Sequence, residues 1–343
     1  MNCILDLDKT QLQNYLTTLG QPSFRWKQIW HGLYVSHFDS WQQFTNIPIE
    51  LRNKLREIFL ISPLQPRDTL VSQDNSTEKI LFTTNTSFPI ETVLMRYEDR
   101  ISICVSTQSG CPIGCKFCAT GKLGLKKNLT SGEIITQILH FVRMLDEEQQ
   151  RITNIVVMGM GEPFLNYSEV SRAIRVLTDV EGLNIGSRRI TVSSIGIPEY
   201  ILQFAQDFPQ VNLAISLHAA NDEKRNAIVP VNNKYNIASI LDALIEYRSI
   251  SNRRVTIEYV LIRDFNDSSA DAHQLGNLLH GLLCHVNLIP LNSTAYFDGS
   301  PSPLNRIEAF QKILDSYHIP TTIRYSKGTQ IQAGCGQLAG GIS

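Results

Sequence analysis

The strongest chemical signal in this chain is a tight group of three cysteines. Cys111, Cys115 and Cys118 follow the spacing C-x3-C-x2-C, and Pro112 and Gly114 bend the backbone between them. Three clustered thiolates without an obvious fourth ligand are typical of an iron–sulfur cluster that leaves one iron open. A structural zinc site normally takes four protein ligands. We therefore predict an open-site iron–sulfur cluster, and a zinc knuckle is the less favoured alternative.

The cysteine content and the N-terminal residues together predict a reducing environment. Seven cysteines is an odd number, and the first residues lack the basic and then apolar pattern of a signal peptide. This combination favours metal or redox chemistry over a disulfide framework. No apolar run approaches about 18 residues, so a membrane span is not expected. A cytoplasmic location is predicted.

Composition sets the size of the core and the kind of surface. The chain has 343 residues, of which 43% are apolar and 18% charged, so one large domain and a smaller one can form. A net charge of −1 predicts no general attraction to nucleic acid, so RNA would have to bind local basic patches. The candidates are a lysine group after the cysteine loop and two arginine pairs: Lys116, Lys122, Lys126 and Lys127, then Arg188–Arg189 and Arg253–Arg254.

The elements that must position the cysteine loop fall into two predicted domains, residues 1–85 and 86–343. In the first, apolar residues recur at helical spacing between prolines, which predicts a small helical accessory domain that binds RNA. Aromatic and basic residues mix at 24–28, where we interpret the aromatic side chains as core. The Cys335 loop belongs to the second domain.

The second domain alternates strands with helical patterns. A hairpin over 79–84 and 90–95 precedes strands at 101–107, 154–158, 190–194, 211–217, 255–262, 286–289 and 321–325. A capping box at Thr130–Glu133 opens the first long helix. Strands separated by helices of this length predict parallel βα units, and so an α/β fold with a partial (β/α)6 barrel. In such barrels the chemistry lies at the C-terminal ends of the strands, where the cysteine loop follows the first strand.

Several motifs in order resemble one known family. They are CVSTQSGCPIGCKFCATG, VVMGMGEPFLN, RRITVSSIG, VNLAISLHA, VNLIPLN and CGQLAGG, and they span essentially the whole chain. Together they resemble the RlmN/Cfr family of adenosine methyltransferases in the radical SAM superfamily. The RlmN-like members are the closer match.

The resemblance implies a cofactor site. Cys111, Cys115 and Cys118 would bind three irons of a [4Fe-4S] cluster, and the fourth iron would take the amino and carboxylate groups of S-adenosylmethionine. The expected contacts to S-adenosylmethionine lie at or just past predicted strand ends: Gly161, Glu162, Ser193, Ser216, Leu217, His218 and Asn292.

The resemblance also implies roles for two more cysteines and a glutamate. Cys335 would accept a methyl group from one S-adenosylmethionine, and a second would be cleaved to a 5′-deoxyadenosyl radical that activates this methyl group for addition to adenine. Cys104 would then resolve the protein–RNA adduct by forming a disulfide with Cys335. Glu91 would be the proton acceptor. Cys3 and Cys284 match no motif and are interpreted as structural.

The implied substrate is an adenosine in 23S rRNA, with an adenosine in some tRNAs as a second one. The stretch 161–166 and the CGQLAGG tail point to methylation at C2, whereas 124–130 resembles relatives that methylate C8. Gln330 and Gln332 stand where relatives commonly carry aspartates. Expected partners are the RNA and an electron donor such as flavodoxin or ferredoxin, and the protein is expected to be a monomer.

Two other classes of function compete with this interpretation. One is a radical SAM enzyme acting on a small molecule or a peptide, and the other is a non-catalytic iron–sulfur protein that binds RNA. The pairing of Cys104 with Cys335 argues against the first, and the complete set of cofactor motifs argues against the second.

Overall fold

The N-terminal part of the chain is helical, as predicted. The computed structural model describes residues 1–341, and this part consists of β1 Asn2–Cys3, α1 Lys9–Thr18, α2 Arg25–Tyr34, α3 Ile49–Ile58 and β2 Phe59–Leu60. The short strand β1 pairs in parallel with β2 and closes the unit. Trp30, Tyr34 and Phe44 are buried between the helices, and Trp26 is half-buried. The interpretation of the aromatic side chains at 24–28 as core is wrong for Phe24, which precedes α2 at the surface and is 52% exposed.

Three antiparallel strands come next: β3 Leu64–Val71, β4 Thr77–Thr84 and β5 Pro89–Arg96. The pair β4–β5 is the predicted hairpin, but β3 was not predicted. In β3 only Leu64 is buried, so the strand lacks the apolar alternation that would reveal it in the sequence. Both β3 and β4 precede residue 85 and yet pair into the sheet of the large domain. The domain boundary at 85 stays a prediction.

A run of parallel strands forms the centre of the molecule. The strands are β6 Ile101–Cys104, β9 Asn154–Val157, β10 Ile190–Ser194, β11 Asn212–Ser216, β12 Val255–Leu261, β13 Cys284–Pro290 and β14 Thr321–Ile323, while β7 Gln108–Ser109 and β8 Lys127–Asn128 form a separate antiparallel ribbon. The order in the main sheet is β14-β13-β12-β11-β10-β9-β6-β5-β4-β3. This confirms the predicted α/β fold with a partial barrel.

Helices connect the parallel strands, because a parallel pair needs a long crossover. They are α4 Ala119–Lys122, α5 Ser131–Glu147, α6 Tyr167–Thr178, α7 Pro198–Asp207, α8 Asp222–Ile228, α9 Ile237–Ser251, α10 Ser269–Leu278 and α11 Leu304–Ser316. The predicted capping box opens α5, where Thr130 and Glu133 each accept a backbone N–H of the other residue. The apolar face of α5 covers the sheet, with Ile135 and Ile138 fully buried.

The described part of the large domain ends at residue 341. Residues 342 and 343, which the prediction placed in this domain, lie outside the described part of the chain. Between residues 1 and 341 no helix is both long and apolar enough to cross a membrane. Cys3 and Cys284 are buried in the core, as expected for structural residues.

Candidate active site

A cavity of about 200 Å³ lies at the C-terminal ends of the parallel strands. Its lining contains five cysteines: Cys104, Cys111, Cys115, Cys118 and Cys335. The first of these lies at the end of β6 and the last lies in the C-terminal segment that returns over the sheet. The fold therefore brings thiols from three separate parts of the chain to one cavity.

The loop of Cys111, Cys115 and Cys118 is held by backbone hydrogen bonds at the start of α4. Cys118 donates to the Cys115 carbonyl at 3.2 Å, and Lys116 donates to the Ile228 carbonyl at 2.9 Å. Burial raises the pKa of the Cys111 thiol to about 12 and also raises the pKa of the other two, and the neighbouring thiols raise that of Cys115 further. A bound cationic group would favour the deprotonated form of all three thiols.

The donor set, three thiols in one short loop, fits an iron–sulfur cluster, because a structural zinc site normally takes four protein ligands. A four-iron cluster takes one thiolate for each iron, so its ligands are spread around it. Polar side chains line the same cavity beside the loop and could hold a polar cofactor there.

Gly161 and Glu162 line the cavity on the loop that follows β9. Gly161 has φ of +107°, and a Cβ there would lie 2.6 Å from the Gln108 side chain, so only glycine fits. The Glu162 carboxylate accepts hydrogen bonds from the amides of Phe164 at 3.0 Å and Ile195 at 2.8 Å. Burial raises the pKa of Glu162 to about 7. This carboxylate fastens the β9 and β10 loops to each other.

Ser193, Ser216 and His218 line the cavity at the ends of β10 and β11. The two serine hydroxyls are 3.3 Å apart. The His218 Nδ1 accepts a hydrogen bond from the Val260 amide at 3.1 Å, and burial lowers the pKa of this histidine to about 3. The imidazole is therefore neutral at physiological pH, with its Nε2 left as the donor.

Asn292 connects the cofactor side of the cavity to the C-terminal segment. Its Nδ2 donates to the Ser326 hydroxyl at 2.8 Å and to the Cys335 carbonyl at 2.9 Å. Leu217, another predicted contact, is buried and is not among the residues that line the cavity. Its backbone amide donates to the Glu258 carbonyl at 3.0 Å, which positions the end of β11 instead.

Cys104 and Cys335 are both free thiols in this structure, so the predicted disulfide between them is not formed in this state. Cys335 is exposed, while Cys104 is only partly accessible. Burial raises the pKa of Cys104 to about 12, and the nearby Cys335 contributes to the rise. The Cys104 thiol is therefore protonated at physiological pH unless a cation or a base assists it.

Glu91 lies on β5 and is not among the residues that line the cavity. Its carboxylate is buried with 2% exposure and pairs with Lys79 at 2.9 Å. The other oxygen accepts hydrogen bonds from the amides of Ala339 and Gly340. In this conformation both carboxylate oxygens are engaged.

Three charged residues that line the cavity were missed in the sequence: Glu258, Arg324 and Lys327. Glu258 is buried on β12, with one oxygen bonded to Asn287 at 3.0 Å and the other without a partner among the described residues. Arg324 follows β14 and lies 3.6 Å from the Glu258 carboxylate. Its pKa is raised by Cys335 first of all, and also by Glu258 and Cys104. The sequence feature that could have identified Arg324 is its position at the end of the last predicted barrel strand.

Removing the Arg324 charge should slow thiol chemistry at Cys104. Arg324 lowers the pKa of Cys104 against the effect of burial, so Arg324→Gln should raise that pKa and reduce the thiolate fraction about tenfold per unit. The measurement is the rate of Cys104–Cys335 disulfide formation with oxidised glutathione against pH, with Cys111, Cys115 and Cys118 replaced by alanine. The Arg324→Gln profile should shift to higher pH.

The matched control is Arg306→Gln, because Arg306 is exposed and pairs with Asp264 and Asp267 outside this cavity. Its profile should coincide with that of the parent protein. A profile of Arg324→Gln that also coincides with the parent would contradict the role of the guanidinium.

The basic residues divide between two edges of the sheet. Arg188 and Arg189 precede β10, and Arg253 and Arg254 precede β12, so both pairs lie at the N-terminal ends of the strands, away from the cavity. Lys127 pairs with Glu133 at 2.5 Å. The remaining lysines of the group, Lys116, Lys122 and Lys126, are exposed beside the cysteine loop and are the better placed for phosphate contacts.

Comparisons with known families divide the chain as the fold does. Residues 105–275 match the Radical SAM superfamily. Residues 2–61 match the ribosomal RNA large subunit methyltransferase N-terminal domain. The first match covers the cysteine loop and the four parallel strands β9 to β12, and the second covers the helical unit.

Full-length relatives show the same similarity. A probable dual-specificity RNA methyltransferase RlmN of Fervidobacterium nodosum is 44% identical over 98% of this chain and 96% of its own length. The protein of the same description from Staphylococcus aureus strain JH9 is 43% identical over 98% of this chain and 92% of its own length. A radical SAM methyltransferase of Sphaerobacter thermophilus, known as a crystal structure, is 45% identical and superposes with a TM-score of 0.97 over 99% of this chain and all of its own.

Proposed function

We propose that this chain, which belongs to the RlmN family of radical SAM RNA methyltransferases, methylates C2 of an adenosine in 23S rRNA and of an adenosine in some tRNAs. The observation that carries the proposal is the meeting of Cys104 and Cys335 with the three-cysteine loop in one cavity. A generic radical SAM enzyme needs the loop but not the outer pair of thiols. The pair is what a cysteine-borne methyl group requires.

The cofactor would be held by the cavity residues already described. Cys111, Cys115 and Cys118 would ligate a [4Fe-4S] cluster, and Glu162 with the polar strand ends would hold S-adenosylmethionine. When bound, these groups supply a 5′-deoxyadenosyl radical. The electron for the cluster would come from a flavodoxin or a ferredoxin.

Cys335 has the accessibility that a carrier of the methyl group needs. Its thiol is exposed, and its carbonyl is bonded to Asn292, which places it next to the proposed S-adenosylmethionine site. The segment around it is rich in glycine, so an adenine can approach closely. The target base would have to leave its stack to reach the cavity, as in other enzymes that act on bases.

In this proposal Cys104 releases the methylated base. Its thiolate would attack the Cys335 sulfur, forming the disulfide while the carbon–sulfur bond to the adenine-linked methylene breaks. The electron pair passes to the base, which takes a proton to complete the methyl group. The cation of Arg324 supports this step, because it lowers the pKa of the attacking thiol.

The role of Glu91 as proton acceptor stays a prediction. Its carboxylate is occupied by Lys79, Ala339 and Gly340, so it would be free to take a proton only after the C-terminal segment has moved.

The position of methylation is tested by nucleoside analysis. Anaerobically reconstituted protein is incubated with S-adenosylmethionine, a reductant and unmodified 23S rRNA fragment or tRNA transcript, and the digested nucleosides are compared with standards by mass spectrometry. We expect 2-methyladenosine. Finding 8-methyladenosine alone would overturn the C2 assignment in favour of the alternative suggested by residues 124–130, and finding neither from a cluster-loaded preparation would overturn both.

A matched control is the Cys118→Ala protein treated in the same way, because it lacks one proposed cluster ligand. It should yield no methyladenosine with either RNA. The reaction with tRNA transcript tests separately whether tRNA is a second substrate. Methyladenosine in rRNA but not in tRNA would contradict that part of the proposal.

A further inference from the structure

A buried ion pair lies on the antiparallel strands next to the cavity. Lys79 of β4 and Glu91 of β5 are diagonal neighbours on one face, since Lys79 pairs with Val93 and Glu91 with Leu81. Their charged atoms are 2.9 Å apart, and the residues are 7% and 2% exposed. Burying such an ion pair costs free energy, because both charges lose their hydration. The role of the pair is therefore judged from the other hydrogen bonds that it makes.

Those contacts are all with the C-terminal segment. Lys79 Nζ donates to the carbonyl of Gln332 at 3.3 Å. Glu91 Oε2 accepts from the amides of Ala339 at 2.8 Å and Gly340 at 3.0 Å. Gly340 has φ of +66°, a left-handed conformation that lets two successive N–H groups converge on one oxygen. The pair thus holds the chain just before and just after residues 333–338, which we term the Cys335 loop.

We propose that Lys79 and Glu91 form a clasp that ties together the two ends of the Cys335 loop and so positions the Cys335 sulfur over the cavity. The loop has no helix or strand of its own, so its backbone groups depend on partners elsewhere. Within the loop, Ala119 donates to the Gly336 carbonyl at 2.8 Å and Thr120 donates to the Leu338 carbonyl at 2.6 Å. These contacts come from the cysteine loop side, whereas the clasp comes from β4 and β5.

Apolar side chains also pack against the Cys335 loop, but their contacts do not fix the positions of its individual residues. Ala333 and Leu338 pack in a small cluster with Val93, Met95 and Met160. Such contacts are non-directional, so small displacements cost little. The charge-assisted hydrogen bonds of the clasp have defined directions, with lengths of 2.8 and 3.0 Å at Glu91 and 3.3 Å at Lys79, which makes them the better device for holding Cys335 in one place.

The clasp gives Glu91 a positioning role that differs from proton transfer. As a clasp, Glu91 acts before any RNA is present, because Cys335 must be in place to exchange its thiol proton for a methyl group. As a proton acceptor, it would act only after the adenine has been attacked. The effect of the clasp on methylation of Cys335 rests on the proposed function. The contacts of the clasp can be tested in protein without any cofactor.

The first test is hydrogen exchange in cluster-free protein. Glu91→Gln and Lys79→Met should each increase the exchange of the peptide containing residues 332–341 at least tenfold, since removing one charge leaves the other buried without its partner. The peptide from α5 should be unaffected. The double variant Lys79→Met/Glu91→Gln should increase this exchange by about as much as either single variant, because the two residues act as a unit.

The control is Glu78→Gln, because Glu78 neighbours Lys79 on β4 but points to the opposite face of the strand. It should leave exchange of the C-terminal peptide unchanged. If a single variant fails to fold, the double variant, which buries no unpaired charge, still decides the question. Unchanged exchange in the double variant would overturn the clasp.

The second test separates the clasp from a proton acceptor. In cluster-loaded protein with S-adenosylmethionine and no RNA, the mass of the Cys335 peptide should show methylation in the parent and at least tenfold less in both single variants. Full methylation of Cys335 in Glu91→Gln, with loss of RNA methylation only, would overturn the positioning role. A parent protein that leaves Cys335 unmethylated would contradict the proposed function instead, and the exchange result would still decide the clasp.

Discussion

The Cys335→Ala protein should load its iron–sulfur cluster and form no methyladenosine. Cys335 lies in a different part of the chain from Cys111, Cys115 and Cys118, so its removal leaves all three proposed ligands in place. Its exposed side chain fills no core position, and alanine should therefore fold normally. Without the sulfur there is nothing to carry the methyl group to the base.

The measurements are the visible absorption and iron content of the reconstituted protein, followed by nucleoside mass spectrometry after incubation with RNA. Methyladenosine should fall to the background of a reaction without enzyme. Cys284→Ala is the matched control, because that cysteine is buried on β13 and does not line the cavity. Any turnover by Cys335→Ala would show that the methyl group reaches adenine without this cysteine.

The Cys104→Ala protein should accumulate a covalent complex with its RNA substrate. If Cys104 breaks the bond between the Cys335 sulfur and the methylene carbon, then its absence stops the reaction after the base has been attacked. Cys104 lies at the end of β6, outside the three-cysteine loop, so cluster loading should not change. The expected yield approaches one RNA per active protein, because each molecule stops after a single event.

The complex is detected as a band of higher mass on a denaturing gel that disappears after treatment with ribonuclease. The double variant Cys104→Ala/Cys335→Ala should give no such band, because it lacks the sulfur to which the RNA is attached. Normal release of methylated RNA from Cys104→Ala would exclude a resolving role for this thiol.

The proposed site could be predicted to a large extent because it follows the ends of parallel strands. Ser193, Ser216, His218 and Asn292 come at or just after predicted strand ends, and all four line the cavity. Parallel strands bring their carboxyl ends to one edge of a sheet. A residue that follows a predicted strand in the sequence is therefore predicted to lie at that edge. Leu217 shows the limit of this argument, because strand alternation turns its side chain away from the cavity.

Interactions between distant parts of the chain could not be predicted in this way. Glu91 pairs with Lys79 and accepts hydrogen bonds from the amides of Ala339 and Gly340. Arg324 pairs with Glu258 and lines the same cavity as the two outer thiols. None of these contacts leaves a local pattern in the sequence. The strand β3 was missed for a related reason, since its exposed side chains do not alternate.

The sequence alone was sufficient for the α/β fold and the three-cysteine loop, because periodicity and close spacing are properties of neighbouring residues. The family followed from the resemblance of six motifs to those of known proteins. The tertiary structure was needed to show what happens at the C-terminal segment, where side chains from β4, β5 and the cysteine loop hold the backbone around Cys335. A segment without regular structure takes its conformation from its partners. Those partners lie more than two hundred residues away along the chain, and only folding brings them together.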